Sequence, residues 1–236
     1  VTIPEGWRAE QIAELLEQNE VVSAEAFLTV VHRRQAPYPV DDATLPGLEG
    51  FLFPDTYRLP KHTTPQKVAE IMLRNWDSRV PLELREMATD QDMTLYEAVT
   101  LASIVEREAV LKEERPIIAG VYLNRLEQGM YLQSDPTVQY AKGYDNETDR
   151  WWSRMLQEEA VTVQSEYNTF LHPGLPPSPI CNPGLDAIRA VLQPTESEYL
   201  FFYARGDGSH EFATTYEEHL RNQARYEGNI ETEGTD

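Results

Sequence analysis

The chain has 236 residues, 41% of them apolar, and its 20 basic against 40 acidic side chains give a formal net charge of -20. That length allows one large domain or two smaller ones with a real core, and 16 prolines with 12 glycines point to a loop-rich fold without repeats or biased tracts. A surface this acidic argues against nucleic acid and anionic membrane as ligands, and suits a neutral or sugar-like substrate, or simple solvation.

Cys181 is the one cysteine, so no internal disulfide forms and the redox compartment stays open. No apolar run approaches the roughly 18 residues of a spanning helix. The chain starts at Val1 and reads as processed or trimmed, so an absent anchor or signal says little about the natural protein.

In chain order, "VTIPEGW" reads as a short strand ending in a glycine turn, and "AEQIAELLEQ" as a helix with Ile12, Leu15 and Leu16 on one side. "SAEAFLTVVHRR" is a second helix with Ser23 as N-cap, and "QAPYPVDDATLPG" a proline-rich connection. The alternation in "LEGFLFPDTYRLP" sets Leu48, Gly50 and Leu52 against Glu49, Phe51 and Phe53, which predicts a strand stopped at Pro54. "TPQKVAEIMLRNW" is helical, with Pro65 near its first position. A boundary is expected near the polar stretch 87–92, dividing an N-terminal unit, 1–88, from a second unit, 89–236.

The second unit opens with a Thr94/Glu97 capping box on "TLYEAVTLASIVEREAVL". A helix over "ERPIIAGVYLNRLEQG" ends at Gly129. Asp135 with Pro136, and Asn182 with Pro183, look like two further helix starts, and Pro194 stops the second. "YLFFYARGDGSHEFAT" predicts a hairpin about Gly-Asp-Gly-Ser. Thr215 and Glu218 cap a last helix, and the acidic tail past Tyr226 is expected to fray. The fold class is α+β.

"LASIVEREAV", 101–110, carries the chemistry. With Leu95 at zero on a helical wheel, Glu106 falls at roughly 20°, inside the apolar arc, while Arg107 at roughly 120° and Glu108 at roughly 220° fall outside it. Glu108 is therefore expected in solvent beside Glu97, and Glu106 facing core or cleft. A buried carboxylate either pairs with an arginine or backbone N–H groups, or lines a cleft with a raised pKa suited to general-acid work. Ala102 and Ala109 beside Glu106 leave room for a ligand. Such an acid can protonate a glycosidic oxygen. A hydrolase wants a second carboxylate, for which Asp55, Asp135 and Glu49 are candidates. A lytic transglycosylase needs only the one, because the sugar's own C6 hydroxyl closes an anhydro ring.

Five stretches, "LEGFLFPDTY", "ASIVEREA", "VYLNRLEQGMYLQSDPTVQYA", "YNTFLHPGLPPSPICNPGLDAIRA" and "YLFFYARGDGSHEFATTYEEH", occur in the order found in the MltG/YceG-like endolytic murein transglycosylases, which this sequence resembles over nearly its whole length. The resemblance implies a LysM-like βααβ N-terminal subdomain followed by a helix-rich catalytic domain with a β-hairpin. It implies a lyase that cuts the MurNAc–GlcNAc bond of nascent peptidoglycan, leaves 1,6-anhydro-N-acetylmuramic acid ends and terminates elongation. The matching catalytic position is the first acid of the motif, Glu106, the residue the wheel also selects.

Substrate contacts are expected from Asn124, Gln133, Ser134, Asp135, Tyr167, Asn168, His210 and Glu49, with caps, turns or core as the plain alternative for each. The family suggests peptidoglycan synthases as partners and a single-pass anchor holding this domain outside the cell membrane. It also expects an N-terminal membrane helix that this chain lacks. His210 and His219 lack a metal-ligand pattern, so no metal or cofactor is expected. "GDGS" and "NPG" are turns. Trp151 and Trp152 lie in a stretch, 144–166, without a strong motif, read as packing or as a loop over the cleft. A hydrolase, or a non-catalytic wall-binding protein with a structural Glu106, are the competing readings.

Overall fold

A computed structural model of the chain describes residues 1–33 and 45–230, with the side chains of 228–230 excepted. Most of the proline-rich connection and the extreme acidic tail lie outside the described residues. The first helix pair is α1 (Ala9–Gln18) and α2 (Ala24–Val31). Ile12 and Leu16 of α1 and Phe27 and Val31 of α2 are sealed from solvent. Ser23 caps α2 as expected, its hydroxyl accepting the Ala26 N–H at 3.4 Å. Helix α3 (Pro65–Arg79) begins on its proline and packs against α2 through the face of Val68, Met72 and Trp76.

The two strands expected in this unit are absent among the described residues. Thr2 and Thr56 form a single bridge, so the βααβ outline keeps its helices and little of its sheet. The alternation in 48–53 misleads because both of its sets are buried: Leu48, Phe51, Leu52 and Phe53 all belong to the core. Their backbone donors go elsewhere. Gly50 and Leu52 N–H both reach the side-chain Oδ1 of Asn182, at 2.9 Å each. Gly50 has φ +89°, and a Cβ there would lie 2.5 Å from Pro179 Cγ, so only glycine fits.

After the short α4 (Leu82–Glu86) comes α5 (Leu95–Glu108), started by the Thr94/Glu97 capping box. Eight consecutive residues, Ala98–Val105, are buried, so α5 is enclosed on all sides rather than amphipathic. It packs on α6 (Arg115–Glu127), α7 (Asp135–Lys142) and α9 (Leu185–Leu192). Full burial of Leu101 and Ile104 contributes about 1.5–3 kcal/mol each. Gly129, with φ +65°, follows α6 as expected. A four-residue helix, α8 (Glu159–Thr162), lies against α7.

Strands β1 (Phe201–Ala204) and β2 (His210–Ala213) form the predicted antiparallel hairpin, with Phe202 opposite Phe212. Helix α10 (Tyr216–Ile230) covers it and starts on the Thr215/Glu218 box, with Glu218 N–H on Thr215 Oγ1 at 3.2 Å. The chain is α+β with one small sheet among the described residues. None of its described helices is long and apolar enough to cross a membrane.

Candidate active site

The last turn of α5 separates its two acids in a way the wheel did not anticipate. Glu106 points inward, as expected, but the space beside Ala102 and Ala109 is occupied. Its Oε1 accepts from Arg115 Nη2 at 2.6 Å and its Oε2 from the Gly184 N–H at 3.0 Å. Both members of the ion pair are nearly sealed, with side chains 5% and 6% exposed. Burial pushes the Glu106 carboxyl up, and Arg115 and the Gly184 N–H pull against it.

Glu108 is not a solvated flank residue. It is half-buried, and its Oε1 accepts from Tyr122 Oη at 2.7 Å and from Ser134 Oγ at 2.6 Å. Its Oε2 is neither sealed nor bonded to any described residue. Burial, then the neighbouring Asp135 charge, push its carboxyl up to about 7, against the two hydroxyl donors. Glu108 also closes α5, at the carbonyl end of the helix dipole, which disfavours an anion. The wheel failed here because Tyr122 on α6 and Ser134 before α7 cover what one helix alone would present as a polar edge.

Ser134, rather than Asp135, is the N-cap of α7, and Asp135 is its first helical residue. The Ser134 hydroxyl makes no cap bond and is turned to Glu108 instead. Asp135 is exposed, yet its surroundings are dense enough to push its carboxyl up. Gln133 is exposed and has φ +51°, with its N–H on Thr169 O. Of these three, Ser134 by its bond and Asp135 by its charge act on Glu108.

The other expected contact residues do not gather there. Asn168 is fully buried and its amide is committed to Ala160 O, Val163 O and the Phe170 N–H. Asn124 donates to Ser197 O and Tyr199 O, anchoring the chain that leads into β1. It also borders a cavity of about 990 Å³ between the start of α5, α6 and the 174–177 loop. Neither Glu106 nor Glu108 lines that cavity, and Glu97 on its wall is committed to the Thr94 cap.

His210 is buried, with Nδ1 2.7 Å from Glu114 Oε2, and ties the hairpin to the turn before α6. Glu49 is buried at the start of α1, where it takes the Ala9 N–H on both oxygens and Asn182 Nδ2 on Oε1 at 2.6 Å. Burial is the main reason its carboxyl is pushed up to about 8. Asn182 is thus a joint between segments rather than a helix cap; Gly184 holds the cap position of α9. Of the other acids considered, Asp55 is held by Asn75 and Arg79.

Tyr167 is half-buried, bonds Ser178 Oγ at 2.6 Å and lies 4.8 Å from the Tyr140 ring. Trp151 and Trp152 extend this aromatic wall, and their indole N–H groups donate to Glu14 and Gln11 of α1. No sequence signal marked these tryptophans as the link between α1 and the site. Glu108 carried one signal, its place in the same motif, that the wheel outweighed.

The family model for YceG-like proteins matches residues 1–225, and the chain belongs to the YceG-like family. It is 34% identical to a protein named endolytic murein transglycosylase from Streptococcus pneumoniae (strain R6), covering 96% of this chain and 44% of that one. It is 36% identical to a protein of the same name from Bacillus subtilis (strain 168), covering 76% of this chain and 48% of that one. The chain therefore spans under half the length of these relatives. A crystal structure of a yceG-like protein from Listeria monocytogenes superposes with a TM-score of 0.77 at 31% identity, covering 93% of this chain and 74% of that chain.

Proposed function

We propose that this chain is a peptidoglycan lytic transglycosylase and that Glu108, rather than the expected Glu106, is its general acid and base. The observation that carries the assignment is the division of labour in the Glu108 carboxyl. Oε1 is fixed by Tyr122 and Ser134, Oε2 is bonded to no described residue, and burial pushes the carboxyl up to about 7. A general acid needs a held carboxyl with one free oxygen and a pKa near the working pH. Glu106 has both oxygens engaged and would have to break a buried ion pair to act.

Protonated Oε2 gives its proton to the oxygen joining N-acetylmuramic acid to the next sugar, and that C1–O bond breaks. The resulting Glu108 carboxylate faces the developing oxocarbenium ion and steadies it. It then takes the proton from the C6 hydroxyl as O6 bonds to C1. The 1,6-anhydro ring closes, the glutamic acid is regenerated and no water is consumed. Asp135 acts through its charge, favouring the protonated start of the cycle. Exposed Gln133 offers an amide to the sugar, and the Tyr140–Tyr167–Trp152 wall offers ring faces. The names of the relatives support this substrate class. Since peptidoglycan lies outside the cytoplasmic membrane, this reading puts the domain on the outer face.

Digestion of uncrosslinked glycan strands, with mass analysis of the ends, tests it. Anhydro ends formed by the native chain and lost in Glu108→Gln are the expected result. Reducing ends would make the protein a hydrolase. Anhydro ends that persist in Glu108→Gln and vanish in a folded Glu106→Gln would return the role to Glu106, whose carboxyl is also raised by burial.

A further inference from the structure

Between the two glutamates, Arg107 is the one buried or half-buried arginine of this region without an acceptor. Arg8 is bonded to Glu10, Arg85 to Val80 O, Arg115 to Glu106 and Arg125 to Leu200 O. Arg107 makes no hydrogen bond or ion pair with any described residue, although it stands between two carboxylates. Glu106 is committed through both oxygens to Arg115 and Gly184, and Glu108 through Oε1 to Tyr122 and Ser134. Its Nε is sealed without a partner, and its two terminal amino groups reach solvent.

The guanidinium is nevertheless held firmly. It lies 4.1 Å over the Trp152 ring, whose own orientation is fixed by the Nε1–H bond to Gln11 Oε1 at 3.0 Å. On another side is Gly6, with φ +77°, where a Cβ would approach Arg107 Nη1 to 3.3 Å. Three segments far apart in sequence therefore build a slot for one cation, one residue from Glu108 along the chain, and leave its outward donors empty. Burial lowers the Arg107 pKa, so its bare charge is incompletely compensated. On a chain of net charge -20, a positioned and unpaired guanidinium is a local exception to a repulsive surface.

We infer that Arg107 on Trp152 is a carboxylate-binding subsite that receives the peptide stem carried by the muramic acid next to the cut bond. This rests on the proposed reaction for its choice of ligand. In murein the carboxylates belong to muramic acid, on its peptide stem or, once an amidase has removed that stem, on its lactyl group, whereas N-acetylglucosamine carries none, so the subsite would set a preference for peptide-bearing strands over a glycan of N-acetylglucosamine alone. A planar fork suits a carboxylate better than the single ammonium of lysine does.

The test measures equilibrium binding to short murein oligomers carrying their peptides and to chito-oligomers of the same length, which carry no carboxylate. The proteins are the full chain in a Glu108→Gln background, with Arg107, Arg107→Lys or Arg107→Gln. Removing a charge-assisted bond should weaken binding of peptide-bearing oligomers about tenfold in Arg107→Gln, with partial recovery in Arg107→Lys. Chito-oligomers should bind all three alike. Equal losses on both ligands, as from a packing role or from stacking on sugar, would overturn the inference, and so would no loss on either. Because binding is read without turnover, a chain that discriminates through Arg107 yet never forms anhydro ends would overturn the reaction and leave the subsite standing.

Discussion

Replacing each glutamate of α5 by glutamine distinguishes an acid held for chemistry from one held for the fold. The Glu108 carboxyl sits at about 7 in the folded chain against an ordinary value of 4.5. That gap corresponds to on the order of 3 kcal/mol. Its sign follows from linkage. The folded state holds this proton more tightly than the unfolded chain, so the stabilisation is complete below pH 4.5 and declines as pH rises to 7, then levels. Glutamine mimics the protonated acid and cannot ionise. Glu108→Gln should therefore melt with the native chain at pH 4.5 and above it at pH 8, by roughly 5–10 °C for a chain of this size. Glu49, which titrates in a similar range, is present in both proteins and cancels from the difference.

Glu106→Gln behaves oppositely. It leaves the Arg115 guanidinium buried beside a neutral amide, with Glu5 3.9 Å away as the remaining carboxylate. Losing one partner of a buried pair costs about 3–5 kcal/mol, so this variant should melt lower, by most at the alkaline end where the native pair is charged. Calorimetry at several pH values, alongside product analysis, reads both effects. Glu108→Gln should lose at least a hundredfold in turnover. A Glu108→Gln protein that still makes anhydro ends, or whose melting difference is the same at pH 4.5 and 8, would refute the reasoning.

Three further outcomes follow from the same contacts. Tyr122→Phe removes a donor that favours the ionised form of Glu108, so the alkaline limb of the kcat/KM profile, near pH 7 in the native chain, should move upward. Asn182→Ala strands the Gly50 and Leu52 N–H groups and should lower stability by about 2–5 kcal/mol in denaturant titration. Gly50→Ala forces a Cβ against Pro179 at a positive φ; circular dichroism should report a loss of at least about 1 kcal/mol, with no change in the pH profile of whatever folds.

What was legible in the sequence is local. The Thr94/Glu97 and Thr215/Glu218 boxes, Pro65 at the head of α3, Gly129 behind α6 and the hairpin at 201–213 each depend on residues within a few positions of one another. The expected strand at 48–53 failed because its partner is a side chain more than 100 residues away. The same reason defeated Asp135 and Asn182 as caps: Ser134 and Asn182 direct their polar groups to Glu108 and to the 49–52 segment. The wheel placed Glu106 correctly as an inward residue, because facing inward is a property of one helix. It misjudged Glu108, because Tyr122 and Ser134 belong to other elements.

The Asn182 joint has a consequence for how the chain is made. Its Oδ1 serves Gly50 and Leu52, its Nδ2 serves Trp7 and Glu49, and its backbone N–H also reaches Trp7 O. These bonds close loops of 130 to 175 residues. Synthesis runs from the N-terminus, so α1 and the 48–53 segment emerge long before the residue that satisfies them. Until position 182 follows, the two core amides have only water as partner and the Glu49 acid only water and the Ala9 N–H, which keeps the segment loose. A segment made 130 or more residues ahead of its partner is thus among the last to reach its final form, and a ribosome stalled before Asn182 should present this segment open to protease.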